Sequence, residues 1–289
     1  MRILLTGAKG QVGQNLKQQK PEHWEMIAAD STTLDITHDQ AVNNMVQNFE
    51  PDVIINAAGY TDLEAAEHNK DEVFAVNAEG VRNLAAAAAK HNVRFIHISS
   101  DYVFDGQKDS PYTELDYPNP LSTYAKSKLA GELLALAANP DSIIIRSSWV
   151  FSEYGSNFVK DIIAQADQET ISVVTDKIGC PTYAGDLAKL MIQFAQEPQM
   201  TPGIYHFCGD VPVTRYEFAQ IILHALEKIR PVKATIQETV SIQIDEQTPR
   251  PPYSVLSCEK IRQLGYLPSD WQLALKHLNL FDMNILKNQ

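Results

Sequence analysis

The chain has 289 residues, 44% of them hydrophobic and 21% charged, the composition of a globular protein that can bury a full core without disulfides or metals. Its 24 basic and 36 acidic side chains leave a formal charge of −12. That argues against a nucleic-acid binder, which needs a basic footprint, but not against a phosphate-bearing small ligand held by a helix N-terminus and a few local cations.

Cys180, Cys208 and Cys258 are far apart, without Cys-x-x-Cys or Cys/His ligand spacing. Free thiols in a reducing compartment are expected, and no zinc site. No signal-peptide pattern precedes the first strand and no apolar run of about 18 residues occurs, so a cytoplasmic protein is expected, without a membrane segment.

Arg2 to Thr6 is a short apolar run, followed at once by Gly7-Ala8-Lys9-Gly10-Gln11-Val12-Gly13. Glycines at 7, 10 and 13 suit a dinucleotide-binding turn. One permits the tight turn, one the backbone approach to a pyrophosphate, and one close packing of the helix that follows. Met26 to Ala29 reads as a second strand ending at Asp30. An acid there can hold both hydroxyls of an adenosine ribose, which favours NAD. Lys9 can instead meet a 2′-phosphate, which favours NADP. The two cues conflict, and NADH and NADPH both stay open. Asp35 and Ile36 are placed to bracket an adenine, the carboxylate accepting from its exocyclic amine.

Val42, Met45, Val46 and Phe49 fall at helical spacing within Asp39 to Phe49. Val53 to Ile55 is the third strand, stopping at Asn56-Ala57-Ala58-Gly59-Tyr60-Thr61, where small residues let a ligand approach the strand end. Ala75 to Lys90 reads as a helix, with Asn77 near its start suited to bond the backbone of a neighbouring strand. Val93 to Ile98 is the fourth strand and ends at Ser99-Ser100-Asp101-Tyr102. Strands alternating with helices in this way predict an α/β protein with a doubly wound, parallel, Rossmann-type sheet.

A proline- and acid-rich loop, Ser110 to Pro120, leads to a helix that opens with Tyr124 and Lys128. Four residues are about one helical turn, so the two side chains project the same way. A protonated Lys beside a phenol stabilises the phenolate and lowers its pKa from about 10, which suits Tyr124 to donate a proton near neutral pH. Ser100 can bond the same carbonyl oxygen. Ile143 to Ile145 is a further buried strand, and Trp149, Tyr154, Asn157 and Phe158 beyond it are candidates to line a substrate cavity. Helices are expected from about Ala184 and over Thr214 to Glu227, the latter with a Thr214/Glu217 capping box. Prolines follow Arg250, and a guanidinium held there can clamp a phosphate bidentately. Residues 1–150 are expected to form an NAD(P)-binding Rossmann domain to which segments between roughly 184 and 230 return; 151–289 would be mainly a smaller C-terminal substrate-binding lobe.

These residues resemble the extended short-chain dehydrogenase/reductases, and within them, nearly end to end, the dTDP-4-dehydrorhamnose reductase family. The stretches that carry the resemblance are Gly7-x-x-Gly10-Gln11-x-Gly13, Leu34-Asp35-Ile36-Thr37, Asn56-Ala57-Ala58-x-Tyr60-Thr61 and Ser99 to Gly106. Tyr124-x-x-x-Lys128-x-x-Gly131-Glu132, Arg146-x-Ser148-Trp149-Val150, Asn157-Phe158, Gly179-x-Pro181-Thr182 and Arg250-Pro251-x-x-Ser254-x-Leu256 continue it.

The resemblance implies hydride transfer from a nicotinamide to C4 of a 4-keto-6-deoxy sugar nucleotide, giving dTDP-L-rhamnose for surface polysaccharide. It implies that Tyr124 protonates the developing alkoxide, Lys128 holds the ribose and tunes Tyr124, and Ser100 positions the ketone oxygen. Gly7, Lys9, Gly10, Gln11, Val12, Gly13, Asp30, Asp35, Ile36, Asn56, Ala57, Ala58 and Tyr60 would hold the cofactor with Lys128. Asp101, Tyr102, Trp149, Asn157 and Arg250 would contact substrate. Ser100 stands where relatives often carry Thr, and the hydroxyl is kept. Some relatives dimerise through a magnesium cluster that uses a Glu just after the glycine loop; Asn15 stands there in this chain, which speaks against a magnesium-linked dimer and leaves a monomer or another homodimer. Lys177 and Cys180 replace an expected Gln and small residue, which would alter sugar contacts. Two other readings keep the fold. One is a different sugar or C4 stereochemistry, as in a 6-deoxy-talose nucleotide. The other is a non-catalytic subunit resembling the methionine adenosyltransferase β-subunit, which the intact Ser100, Tyr124 and Lys128 set disfavours.

Overall fold

The computed structural model describes residues 1–244 and 248–277; the end of the expected lobe, 278–289, lies outside the described residues. Six parallel strands form one sheet, in the spatial order Glu25–Ala29, Arg2–Thr6, Val53–Asn56, Arg94–Ser100, Ile143–Ser147 and Gly203–His206. Helices cover both faces, which is why these strands read as near-continuous apolar runs. Ile3 and Leu5 face a core holding Leu16, Leu187 and Met191, while Leu4 faces Val46, Val81 and Leu84 on the other side. The chain runs outward from Arg2–Thr6 to Glu25–Ala29, then crosses back to Val53–Asn56. At that reversal of strand order an open α/β sheet forms a crevice beyond its C-terminal ends.

The helix expected over Ala75 to Lys90 is interrupted. Ala75–Glu79 is a π-helical turn, and the α-helix proper spans Gly80–His91. Such turns often mark a site where a side chain is re-aimed. Here the re-aimed residue is Asn77. It accepts from the Tyr60 N–H (2.8 Å) and donates to the Tyr60 carbonyl (3.0 Å) and to Ser127 Oγ (3.0 Å). Its partner is therefore the loop after the third strand and the Tyr124 helix, not a neighbouring strand.

The second half builds a separate core from Phe151, Ile162, Ile171, Phe218 and Trp271. It comprises the helices Phe158–Ala164 and Arg215–Glu227 and a parallel pair, Thr170–Val174 with Thr235–Thr239. The expected return to the sheet thus divides. Ala184–Gln196 packs beside Gln11–Gln19, and Gly203–His206 becomes the last sheet strand. Arg215–Glu227 turns its apolar face to the second core instead. The Thr214/Glu217 capping box is formed as expected. No described helix is long and apolar enough to cross a membrane.

Candidate active site

The glycine loop lies at the crevice. Gly7 has φ +74°, and a Cβ there would stand 2.4 Å from the backbone of Ala57. A Cβ on Gly13 would stand 2.2 Å from the Gly7 carbonyl. Any side chain at either position would push the loop from its neighbour. The helix Gln11–Gln19 begins at Gly10 with no side-chain cap and no acid in its first turn, so its leading N–H groups are open to an anion. This cradle suits the pyrophosphate of a dinucleotide.

Around it, the conflicting cofactor cues meet each other. Lys9 Nζ lies 2.6 Å from Asp30 Oδ2. Asp30 Oδ1 accepts from the N–H and hydroxyl groups of Thr32 and Thr33. Lys9 first, then the threonines, hold this carboxyl far below the usual range. Asp35 is turned back on the N–H and hydroxyl of Thr37 (2.9 and 2.7 Å). Ile36 is buried in the core near Gly80. Val12 is buried as well. Gln11 is directed at the lobe, where its amide accepts from Ser152 (3.1 Å) and Asn157 (3.0 Å). Asn56 accepts from Thr6 Oγ1 (2.7 Å) and the Ala58 N–H (3.0 Å) and meets His97 Nδ1 (3.0 Å), which fixes the Ala57–Tyr60 turn.

Ser100 closes the fourth strand, and Tyr124 opens a helix capped by the Ser122 hydroxyl, which accepts from the Ala125 N–H. The two hydroxyls face each other, near enough for Ser100 to favour the phenolate. Lys128, one turn on, donates to the Ile98 carbonyl (2.7 Å). Burial pushes its ammonium down to about 8, against the pull of Glu132. The expected lowering of the Tyr124 pKa is not found. Burial pushes it above the usual phenol range, with Asp101 and Tyr102 adding to the rise and only the nearby Ser100 hydroxyl opposing it. The reason is local: burial of the phenol dominates, and the Lys128 ammonium is directed at the Ile98 carbonyl. Tyr124 is accordingly a protonated phenol, a proton donor rather than a base. One turn beyond Lys128, Glu132 and Arg146 form a bidentate, fully buried ion pair (2.9 and 2.7 Å).

Tyr102 packs edge-on against Tyr124, ring centroids 6.4 Å apart, and opens onto a cleft of about 320 Å³. Trp149, Phe158, Lys177, Arg215 and Arg250 line the same cleft. Trp149 has φ +44°, a conformation that costs a bulky residue about 1–3 kcal/mol and tends to occur at ligand sites. Its indole lies against Gly179, where a Cβ would come within 2.5 Å of the ring, and the Arg215 guanidinium covers it at 3.6 Å. Arg215 also faces the Tyr102 hydroxyl. Arg250 is paired with Glu64 (2.6 Å), and Lys177 donates to the Arg250 carbonyl (3.0 Å). Three cations facing one acid, Asp161, suit a diphosphate. Asn157 is not in this cleft. It caps the Phe158–Ala164 helix and donates to Gln11 and the Ser152 carbonyl, so its amide is already used. Asp101 lies buried behind Ser100 rather than in the cleft wall.

Arg215 was not assigned a role from the sequence, and Lys177 only as a replacement that would alter sugar contacts. What brings them together is the antiparallel pairing of Ile178–Gly179 with Val213–Thr214, which sets Arg215, just after its helix cap, beside Lys177. The described residues contain no cluster of His, Cys, Asp and Glu able to hold a metal ion.

The family model described as the RmlD substrate binding domain matches residues 1–280. A dTDP-4-dehydrorhamnose reductase of Aggregatibacter actinomycetemcomitans is 41% identical over 290 aligned residues, covering 97% of this chain and 99% of that protein. The crystal structure of dTDP-4-dehydrorhamnose reductase from Bacillus anthracis in complex with NADP superposes with a TM-score of 0.89 at 34% identity, over 96% of this chain and 98% of that one. An orthologue from Clostridium acetobutylicum superposes at 0.91, also at 34% identity, over 99% and 100%.

Proposed function

This chain belongs to the RmlD-type dTDP-4-dehydrorhamnose reductase family, and we propose that its Ser100, Tyr124 and Lys128 carry out the family's reaction. It is an NADPH-dependent oxidoreductase that reduces the C4 ketone of dTDP-4-dehydro-L-rhamnose in dTDP-L-rhamnose synthesis. The observation that carries the assignment of roles is the Ser100–Tyr124 hydroxyl pair beside Lys128, joined through Tyr102 to a cationic cleft.

Bound in the glycine cradle, NADPH supplies the hydride. Gly7, Gly10 and Gly13 admit its pyrophosphate, and Lys9 and Asp30 meet its adenosine ribose. Arg215, Lys177 and Arg250 hold the sugar nucleotide's diphosphate, and Trp149 forms a wall beside the sugar. Ser100 fixes the ketone oxygen next to Tyr124, which donates its phenolic proton as the oxygen gains charge. Lys128 moves from the Ile98 carbonyl to hold the nicotinamide ribose, which brings a cation toward Tyr124 and eases that donation. The glycine-loop half, with Ala184–Gln196 and Gly203–His206, is the cofactor unit, and the second core is the substrate unit. A cytoplasmic location suits the three free cysteines.

The test is absorbance-monitored oxidation of NADPH and of NADH with dTDP-4-dehydro-L-rhamnose generated in situ. Oxidation that needs the sugar nucleotide, with dTDP-L-rhamnose identified by NMR, is expected. Folded, cofactor-bound protein that oxidises neither, or a product with inverted C4, would refute the substrate assignment.

A further inference from the structure

Ser100 has a single hydroxyl proton, and in this structure that proton goes to Asp101: Ser100 Oγ lies 3.1 Å from Asp101 Oδ1. The Tyr102 N–H occupies an acceptor site of the same oxygen at 3.2 Å. An anionic carboxylate is a stronger acceptor than a neutral ketone, so an ionised Asp101 would keep the proton that the ketone needs. We propose that Asp101 is a positioning residue that works as the neutral acid, releasing the Ser100 hydroxyl to donate to the substrate's ketone oxygen. This rests on the reductase reading above.

The surroundings of Asp101 favour the neutral form. The residue is 2% exposed, and Oδ2 has no hydrogen-bond partner among the described residues. A buried carboxylate oxygen without a donor strongly disfavours charge. The groups that face it are few. Tyr102 adjoins it in the chain, Tyr124 faces it from the Thr123–Ala138 helix, and Cys208 faces it from beyond the last sheet strand. The Ser254 hydroxyl faces it from the Arg250–Leu256 segment and favours the anion. Arg215 is the cation among them, and its guanidinium is stacked on Trp149 and faces Tyr102. Burial outweighs these partners and raises the carboxyl to about 7.

The consequence has a sign. Below pH 7, Asp101 carries its proton, and Ser100 and Tyr124 can both donate to the ketone oxygen. As pH rises through 7, Asp101 ionises and reclaims the Ser100 proton. Its charge also holds the Tyr124 proton more tightly. Turnover falls on both counts.

The experiment is the pH profile of kcat at saturating NADPH and sugar nucleotide. In the wild-type chain the high-pH fall is centred near pH 7. Asp101→Asn keeps a donor toward Ser100 and cannot ionise, so the fall moves up toward pH 8, where Lys128 titrates. Ser254→Ala removes a donor that favours the anion, so the fall moves up by a smaller step; this variant serves if Asp101→Asn does not fold. Carbon-13 NMR of aspartate-labelled protein, free of cofactor and substrate, should show a carboxyl titrating near pH 7 that vanishes in Asp101→Asn. Turnover with an unmoved fall in both variants, or no such carboxyl, overturns the role of Asp101 alone. Wild-type protein that oxidises no NADPH with the sugar nucleotide overturns the function beneath it.

Discussion

Asp30 and Asp101 follow two strands of the same parallel sheet, at the same C-terminal side, and their surroundings give them opposite chemistry. Asp30 is met by Lys9 and by the N–H and hydroxyl groups of Thr32 and Thr33, and stays an anion under all ordinary conditions. Asp101 is buried, has one oxygen without a partner among the described residues, and is raised to about 7. The difference teaches that strand-end position alone does not set a carboxylate's role. The donors around it do. The Lys9–Asp30 end of the crevice carries its charge with the cation in solvent; the Asp101 end is dry and favours the neutral acid.

The sharpest way to break that contrast is at the dry end. Tyr124→Phe removes the proton donor and should lower kcat by about 10²–10⁴-fold while leaving NADP affinity, measured by calorimetry, within about twofold. Retained turnover would mean the phenol is not the acid. Next in size is the buried pair behind Lys128. Glu132→Ala leaves the Arg146 charge buried and should destabilise the fold by about 3–5 kcal/mol in denaturant unfolding. Asp210→Ala, which breaks an exposed pair with Arg262, should cost no more than about 1 kcal/mol. Equal costs would erase the distinction between dry and solvated charges.

At the cleft, Arg215→Ala removes a charge-assisted contact of about 1.5–3 kcal/mol and should raise the KM for the sugar nucleotide about 10- to 100-fold with the KM for NADPH unchanged. The smallest effect belongs to the solvated end. Lys9→Ala should weaken NADPH relative to NADH by about tenfold or less, since the Lys9 side chain is 74% exposed and screened. Asp30→Ala should shift the ratio the other way, read as the two KM values.

The cofactor half was largely legible because its signals are local. Gly7, Gly10 and Gly13 lie in one turn, and the strands Arg2–Thr6 and Val53–Asn56 are unbroken apolar runs. Tyr124 and Lys128 stand one turn apart on one helix as their spacing indicated, and Ser100 ends the strand that faces them. What escaped depends on contacts between distant segments. Arg215 gains its place from a two-residue strand pairing, and Thr170–Val174 needs Thr235–Thr239 to become a sheet. Asn157 carries a binding residue's chemistry but spends it on a helix cap and on Gln11. The Tyr124 pKa ran opposite to expectation because helical spacing places Lys128 one turn away without saying how deeply the phenol is buried. The state of Asp101 is a property of burial, which no local pattern encodes.

The most direct measurement follows the hydride itself. NADPH deuterated at the transferring position of its nicotinamide is turned over with dTDP-4-dehydro-L-rhamnose, and the product is read by NMR. The expected result is deuterium at C4 of dTDP-L-rhamnose, one for each NADPH consumed, with label transfer slowed by the same factor as turnover in Tyr124→Phe. NADPH consumed without deuterium at C4, or transfer undiminished in Tyr124→Phe, would contradict it.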